Sequence, residues 1–262
     1  MTQNDYFVAD GLRVSLGGRV LVQPLSFGLP RGCMAVVVGP SGAGKTTLLR
    51  ALAGLVTAEG RVLIGGEDVA RMPVRERARR LAYVPQGEAV HWPLPVRDVV
   101  ALGRYPHGGA DPRRLGAGDL DAVSRALDDV DLVPLQHRPV TELSGGERRR
   151  VAIARALATG APVLLADEPI ASLDPYFQLS VMALLRRQAR AGALVIVVTH
   201  DIGLAARFAD QVLMLRDGRL AAMGPPAAVL APPQLAEVFA IDAYRADHEA
   251  QPVLVPWAMR SA

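Results

Sequence analysis

One cysteine and one lysine stand in a chain of 262 residues, and the first scarcity removes a class of function while the second points to a site. A single thiol, Cys33, excludes an internal disulfide and a multi-cysteine metal site. Its neighbours Met34-Ala35-Val36-Val37-Val38 read as a buried strand, so an inert core thiol is expected. No run approaches the roughly eighteen apolar residues that a membrane-spanning helix needs. The start, Met1-Thr2-Gln3-Asn4-Asp5, lacks the basic-then-apolar pattern of a secretion signal, and a bacterial-type cytosolic protein is expected. Repeats, low-complexity tracts and long linkers are also missing. Half the residues are hydrophobic, which excludes a disordered tail and allows one large domain with a real core. Of 29 basic residues only Lys45 is lysine. The arginine bias reads as genome composition, and the one ammonium is expected where a guanidinium fork does not fit. The net charge of +3 decides little about partners.

Phe7 to Leu29 alternates short apolar runs with Gly17-Gly18 and Pro24, which predicts antiparallel strands and turns. Met34 to Val38 is a continuous apolar strand leading through a glycine-rich turn into a helix. Leu48, Leu49, Leu52 and Leu55 keep helical spacing there, with Gly54 as a stop. Val163 to Ala166 and Leu194 to Val198 read as buried parallel strands. Strands alternating with helices predict an α/β fold: a mainly parallel nucleotide-binding core (1–86 and 160–262), an antiparallel β subdomain and an inserted helical subdomain (87–159). Prolines 93, 95, 106, 112 and 134 break that helical insert. After Asp210, strands Gln211 to Leu215 and Leu220 to Met223 turn at Asp217-Gly218, and a mixed tail follows.

The chemistry is concentrated in four places. Gly39-Pro40-Ser41-Gly42-Ala43-Gly44-Lys45-Thr46, followed by Thr47, matches the phosphate-binding loop pattern between a strand and a helix. Its glycines let backbone N–H groups turn toward phosphates, and the helix N-terminus adds its positive end. Lys45 is expected to reach the β- and γ-phosphates of ATP, and Thr46 to offer a hydroxyl to Mg²⁺. Asp167 and Glu168 end a buried strand; Asp167 is expected to hold Mg²⁺ and Glu168 to polarise the attacking water. His200 ends the next apolar strand, where it can reach a γ-phosphate and that water. Ser144 and Glu147 in Leu143-Ser144-Gly145-Gly146-Glu147 form a helix capping box. Capping leaves the two glycines unexplained, since glycine weakens a helix; an approaching phosphate explains them.

Phosphate loop, Gln86, Leu143 to Glu147, Asp167-Glu168, Ser172-Leu173-Asp174 and His200, in this order, resemble the ATPase subunit of ABC transporters over nearly the whole chain. The resemblance implies that Ser144, Gly145, Gly146 and Glu147 are the signature that binds the γ-phosphate held by another subunit. It implies a head-to-tail dimer, expected to be a homodimer, sandwiching two ATP molecules, with Leu173 and Asp174 across the interface. It implies that Gln86 contacts Mg²⁺ and water. The implied partners are transmembrane permease subunits and, indirectly, an extracytoplasmic substrate-binding protein, with this chain peripheral on the cytoplasmic face of the inner membrane. No nucleic-acid partner is expected, because DNA-repair relatives carry a long coiled-coil insertion and no sustained heptads occur here.

Two positions depart from the family pattern. Glu147 stands where glutamine is commoner, and Leu16 stands where an aromatic residue usually stacks on adenine. Val96 to His107 and Val238 to Asp242 are similar to importers of ferric siderophores, haem and cobalamin, with zinc and manganese importers as the alternative. Arg75, Arg77, Arg79, Arg80 and Arg148 to Arg150 are expected on solvated helix faces, some toward a membrane or permease. Trp92, between His91 and Pro93, is a candidate partner contact.

Overall fold

The computed structural model describes residues 5–87, 93–109, 111 and 114–260, so His91 and Trp92 lie outside the described residues. The chain divides into two units, Met1–Arg71 with Leu185–Ala262, and Met72–Leu184. In chain order the first unit opens with β1 (Phe7–Leu16), β2 (Arg19–Leu29), β3 (Met34–Val38), α1 (Lys45–Leu52), β4 (Glu59–Ile64) and β5 (Glu67–Asp68). The second holds α2 (Val74–Arg80), β6 (Leu81–Val84), α3 (Val96–Ala101), α4 (Ala117–Asp128), α5 (Gly145–Ala158) and β7 (Val163–Asp167). The boundary falls within α6 (Pro175–Arg190). The first unit then resumes with β8 (Leu194–Val198), α7 (Ile202–Phe208), β9 (Gln211–Arg216) and β10 (Arg219–Gly224). It closes with α8 (Pro226–Val229), α9 (Pro232–Phe239), β11 (Ile241–His248) and β12 (Gln251–Met259).

In the first unit, β2-β1-β4-β5 form an antiparallel sheet. Gly17 and Gly18, with φ of 56° and 79°, turn β1 into β2 and set Leu16 opposite Arg19. Positive φ at both central residues gives the tight turn whose twist matches a hairpin. Pro24 falls between the Val14–Val22 and Leu12–Leu25 pairs on an edge strand, where its missing N–H costs no sheet bond. Strands β9, β3 and β8 run parallel, with β10 antiparallel outside β9. All ten side chains of β3 and β8 are buried, which is why both read as unbroken apolar runs.

Helix α1 buries Leu48, Leu49 and Leu52. Leu55, expected on the same face, is 53% exposed, because Gly54 at φ 66° has ended the helix before it. The tail resolves into α8, α9 and a β11–β12 hairpin. Pro252 and Pro256 conceal β12 in the sequence, since proline argues against a strand. In a two-stranded ribbon both strands are edges and tolerate it.

In the second unit β6 and β7 pair in parallel, with Val84 opposite Ala166. Helices α3, α4 and α5 lie within this unit, between those strands in sequence. After α3 the chain makes a 3-10 turn, Leu102–His107. A Cβ on Gly103 would lie 2.2 Å from the Arg155 carbonyl oxygen, so only glycine allows this turn to reach α5. Arg104 then donates to the carbonyls of Ala158 and Thr159 at 2.7 and 3.1 Å, capping the end of α5, and pairs with Asp119 at 2.7 Å. Among the described residues no helix is long and apolar enough to cross a membrane.

Candidate nucleotide-binding and hydrolysis site

In the first unit β3 and β8 end side by side. Val37 stands opposite Val198, and Thr199 N–H donates to the Val37 carbonyl at 3.2 Å. The glycine-rich loop leaves β3 at this end, and exposed His200 follows β8 at the same end. A Cβ on Gly39 (φ 155°) would meet the Leu215 carbonyl oxygen at 2.3 Å, and one on Gly44 (φ 93°) would meet that of Leu21 at 2.7 Å. Neighbouring backbone thus forbids side chains at both ends of the loop. Gly42 (φ 77°) meets nothing within 4 Å and is fixed by conformation alone. Ser41 is exposed, Pro40 half-buried and Ala43 buried.

Lys45 is 5% exposed, and its Nζ donates to the carbonyls of Gly39 and Pro40 at 2.8 and 2.9 Å. A compact ammonium reaches both inside the loop's curve, where a planar fork does not fit. Thr46 and Thr47 follow, half-buried, in the first turn of α1, which has no side-chain cap at Gly44. That uncapped end is an anion-binding element. Leu16, at the end of β1, is 73% exposed.

In the second unit Pro85-Gln86 and Asp167-Glu168 leave neighbouring parallel strands. Gln86 Nε2 donates to Glu168 Oε2 at 2.8 Å. Asp167 is fully buried, with Tyr83 Oη 3.4 Å from its Oδ2. Glu168 has φ 47°, a left-handed conformation that costs a non-glycine residue about 1–3 kcal/mol. Arg149 of α5 surrounds this turn. Its guanidinium donates to the carbonyls of Pro85 at 2.6 Å, Asp167 at 2.9 Å and Pro169 at 3.3 Å, and to that of Glu168. Arg150 donates to the carbonyls of Val130 and Asp131 at 2.9 and 3.1 Å and lies 4.1 Å over the Phe177 ring. Both arginines are buried rather than on the solvated face expected of them. Their long stems carry the charge to turn carbonyls that need donors, a pairing between distant segments that sequence spacing does not reveal.

The same helix begins at the signature. Ser144 Oγ accepts from Glu147 N–H at 3.3 Å, and Glu147 Oε2 accepts from Ser144 N–H at 2.7 Å, so the capping box is complete. Hydrogen bonds from the Ser144 backbone and then its hydroxyl hold the Glu147 carboxyl below its ordinary range. A Cβ on Gly146 would lie 3.3 Å from Leu173, which is buried, whereas one on Gly145 would meet nothing within 4 Å. Asp174 Oδ1 accepts from Phe177 N–H at 3.1 Å and caps the start of α6. Cys33 behaves as expected. Burial first, then the Asp210 carboxylate, pushes its thiol up to about 12 against the opposing Arg186.

A lysine-closed glycine loop before a helix, and a carboxylate pair ending a buried strand, define a phosphate-loop ATPase. The family model described as ABC transporter matches residues 22–171, and the chain belongs to that family as an ATP-binding, ATP-hydrolysing subunit. It is 46% identical to the hemin import ATP-binding protein HmuV of Streptomyces coelicolor over 232 residues, covering 88% of this chain and 82% of that one. It is 42% identical to the cobalamin import ATP-binding protein BtuD of Halobacterium salinarum over 87% of this chain, spanning 57% of that longer protein. Among solved structures, a metal-chelate type ABC transporter in an inward-facing conformation matches with a TM-score of 0.81 at 26% identity, covering 97% of this chain and 98% of that one.

Proposed function

We propose that the chain works as a homodimer that binds two MgATP head to tail and drives a permease importing a metal-bearing macrocycle, with haem as cargo. The hydrogen bond of 2.8 Å from Gln86 to Glu168 carries the hydrolytic half of this reading, because it joins a polar relay to the carboxylate proposed to activate water. Relatives described as hemin import proteins support the cargo, the Streptomyces protein at 46% and a Bordetella pertussis protein at 41% identity over 90% of this chain. Cobalamin is the second reading, favoured by the Halobacterium relative.

In this scheme the loop N–H groups from Gly39 to Thr47 and the Lys45 ammonium bind the phosphates. Thr46, Gln86 and Asp167 would hold Mg²⁺. All three offer hard oxygen donors, and the fully buried Asp167 carboxylate at a strand end suits a cation. When bound, the ion neutralises phosphate charge. Glu168 orients the attacking water, and His200 binds the γ-phosphate and that water. Ser144, Gly145, Gly146 and Glu147, with Asp174, engage the nucleotide held by the other copy. Residues 87–159 act as the helical subdomain facing the permease on the cytoplasmic side of the inner membrane, and an extracytoplasmic binding protein delivers cargo to that permease.

Affinity capture of the tagged chain from detergent-solubilised membranes, read by mass spectrometry, tests the partnership; recovery of soluble or nucleic-acid-bound partners alone overturns it. Proteoliposomes holding the recovered complex and its binding protein then test cargo. ATP-driven hemin uptake exceeding that of cobalamin, ferric siderophore or Zn²⁺ is expected, and any other order replaces haem with the preferred substrate.

A further inference from the structure

Arg149 holds two turns that the chain brings together from far apart in sequence. It donates to the carbonyl of Pro85, one residue before Gln86, and to those of Asp167, Glu168 and Pro169. The guanidinium is buried, and hydrogen bonds to charged donors in such sites are strong and directional. Those carbonyls bracket Glu168, whose left-handed φ of 47° persists only where the surroundings over-determine it. Three of the four donations fall on the residues that fix this backbone, and the fourth fixes the donor end of the Gln86–Glu168 bond. Arg149 also lies two residues beyond Glu147, within the first turns of α5, whose N-cap is Ser144.

We infer that Arg149 is a positioning residue for hydrolysis. It sets the Glu168 carboxylate and the Gln86 amide against each other, and ties both turns to the helix that starts at the signature. The inference rests on the reading of Glu168 as the group that activates water. Its four donations go to backbone carbonyls on either side of Gln86 and Glu168, so its expected effect falls on the chemical step rather than on nucleotide affinity. A displacement of the first turns of α5 moves the guanidinium, and the guanidinium moves the backbone on either side of Glu168.

The test compares full-length Arg149→Met and Arg149→Lys with the wild type in steady-state ATP hydrolysis, with Tm and affinity for a fluorescent ATP analogue measured on the same preparations. Glu168→Gln runs alongside. Arg149→Met is expected to lower kcat about 10- to 100-fold, the scale set by small misplacement of a catalytic group. KM and analogue affinity stay within about twofold, the pattern of an interaction made only in the transition state. Arg149→Lys keeps the cation but reaches fewer carbonyls, so its kcat falls between the two. A kcat that drops only in proportion to the folded fraction makes Arg149 a core donor and overturns the inference. If Arg149→Met does not fold, wild-type kcat in folded Arg149→Lys overturns it equally. Glu168→Gln hydrolysing at the wild-type rate overturns the underlying reading of Glu168. An inactive Glu168→Gln beside fully active Arg149 variants overturns the positioning role alone.

Discussion

The phosphate loop places glycines ahead of a helix and the signature places them in a helix's first turn, and the two regions need them for different reasons. In the loop the chain itself demands glycine: Leu215 and Leu21 carbonyls occupy the space where Cβ atoms of Gly39 and Gly44 would sit. The loop also supplies its own closing charge, since Lys45 is tied to the carbonyls of Gly39 and Pro40. The signature turn is satisfied differently, by the Ser144 and Glu147 side chains, and in front of Gly145 there is open space. Among the described residues no atom excludes a methyl group there. Gly145 is the signature glycine without an internal reason, and it lies where the proposed nucleotide of the other copy would approach.

The largest effect is expected at the element that is complete. Lys45→Ala removes a charged donor worth about 1.5–3 kcal/mol per hydrogen bond, enough for a loss of about 100-fold in ATP affinity. Isothermal titration measures it, and unchanged affinity refutes the phosphate loop. The sharper test pairs two substitutions. Gly39→Ala forces a Cβ to within 2.3 Å of a carbonyl oxygen at φ 155°, so it destabilises the fold by more than about 1 kcal/mol, or at least 2–4 °C in Tm. Gly145→Ala meets no atom and gains helix propensity of up to about 1 kcal/mol, so Tm holds or rises while kcat falls. Equal losses of Tm in the two variants would break the comparison.

How much of this was legible in the sequence follows from the same distinction. Residues acting through local geometry could be read: the loop at 39–47, the capping box at 144 and 147, the buried strands, the hairpin turn at Gly17-Gly18. Their signals are periods and short spacings. Residues acting across long separations could not. Arg149 meets Pro85 across 64 positions, and a run of three arginines on a helix gives no sign of which of them turn inward. Gly103 reads in the sequence only as a helix stop for the same reason, its partner being the Arg155 carbonyl on another helix. The β11–β12 hairpin stayed hidden because its prolines contradict strand propensity, and only pairing reveals that both strands are edges.

Leu16, at the end of β1, tests the nucleotide-binding side of the comparison. The side chain is 73% exposed, so an aromatic ring can replace it without disturbing the core. Stacking on a base is worth about 1–3 kcal/mol, and Leu16→Tyr is expected to tighten ATP binding about tenfold, toward the lower end for so exposed a position. A fluorescent-nucleotide competition assay reads this directly. No change would mean that adenine is held by a different part of the chain.

The smallest effect belongs to the capped turn and separates its charge from its hydrogen bonds. Ser144 holds the Glu147 carboxyl below its ordinary range. A carboxyl whose folded pKa is depressed contributes stability that is present above its unfolded pKa and lost as pH falls through the folded one. Glu147→Gln keeps an oxygen that accepts the Ser144 N–H but removes the negative charge at the α5 N-terminus. Because the residue is only half-buried, the cost near neutral pH should stay at or below about 0.3–1 kcal/mol. Thermal melts from pH 7 downward should show the wild type losing this margin through the acidic range, with the two proteins converging once the carboxyl is protonated. A gap that stays constant with pH would assign the effect to hydrogen-bond geometry. The signature would then be a turn in which serine and glutamate supply the cap and charge plays no part in holding the helix end that faces open space.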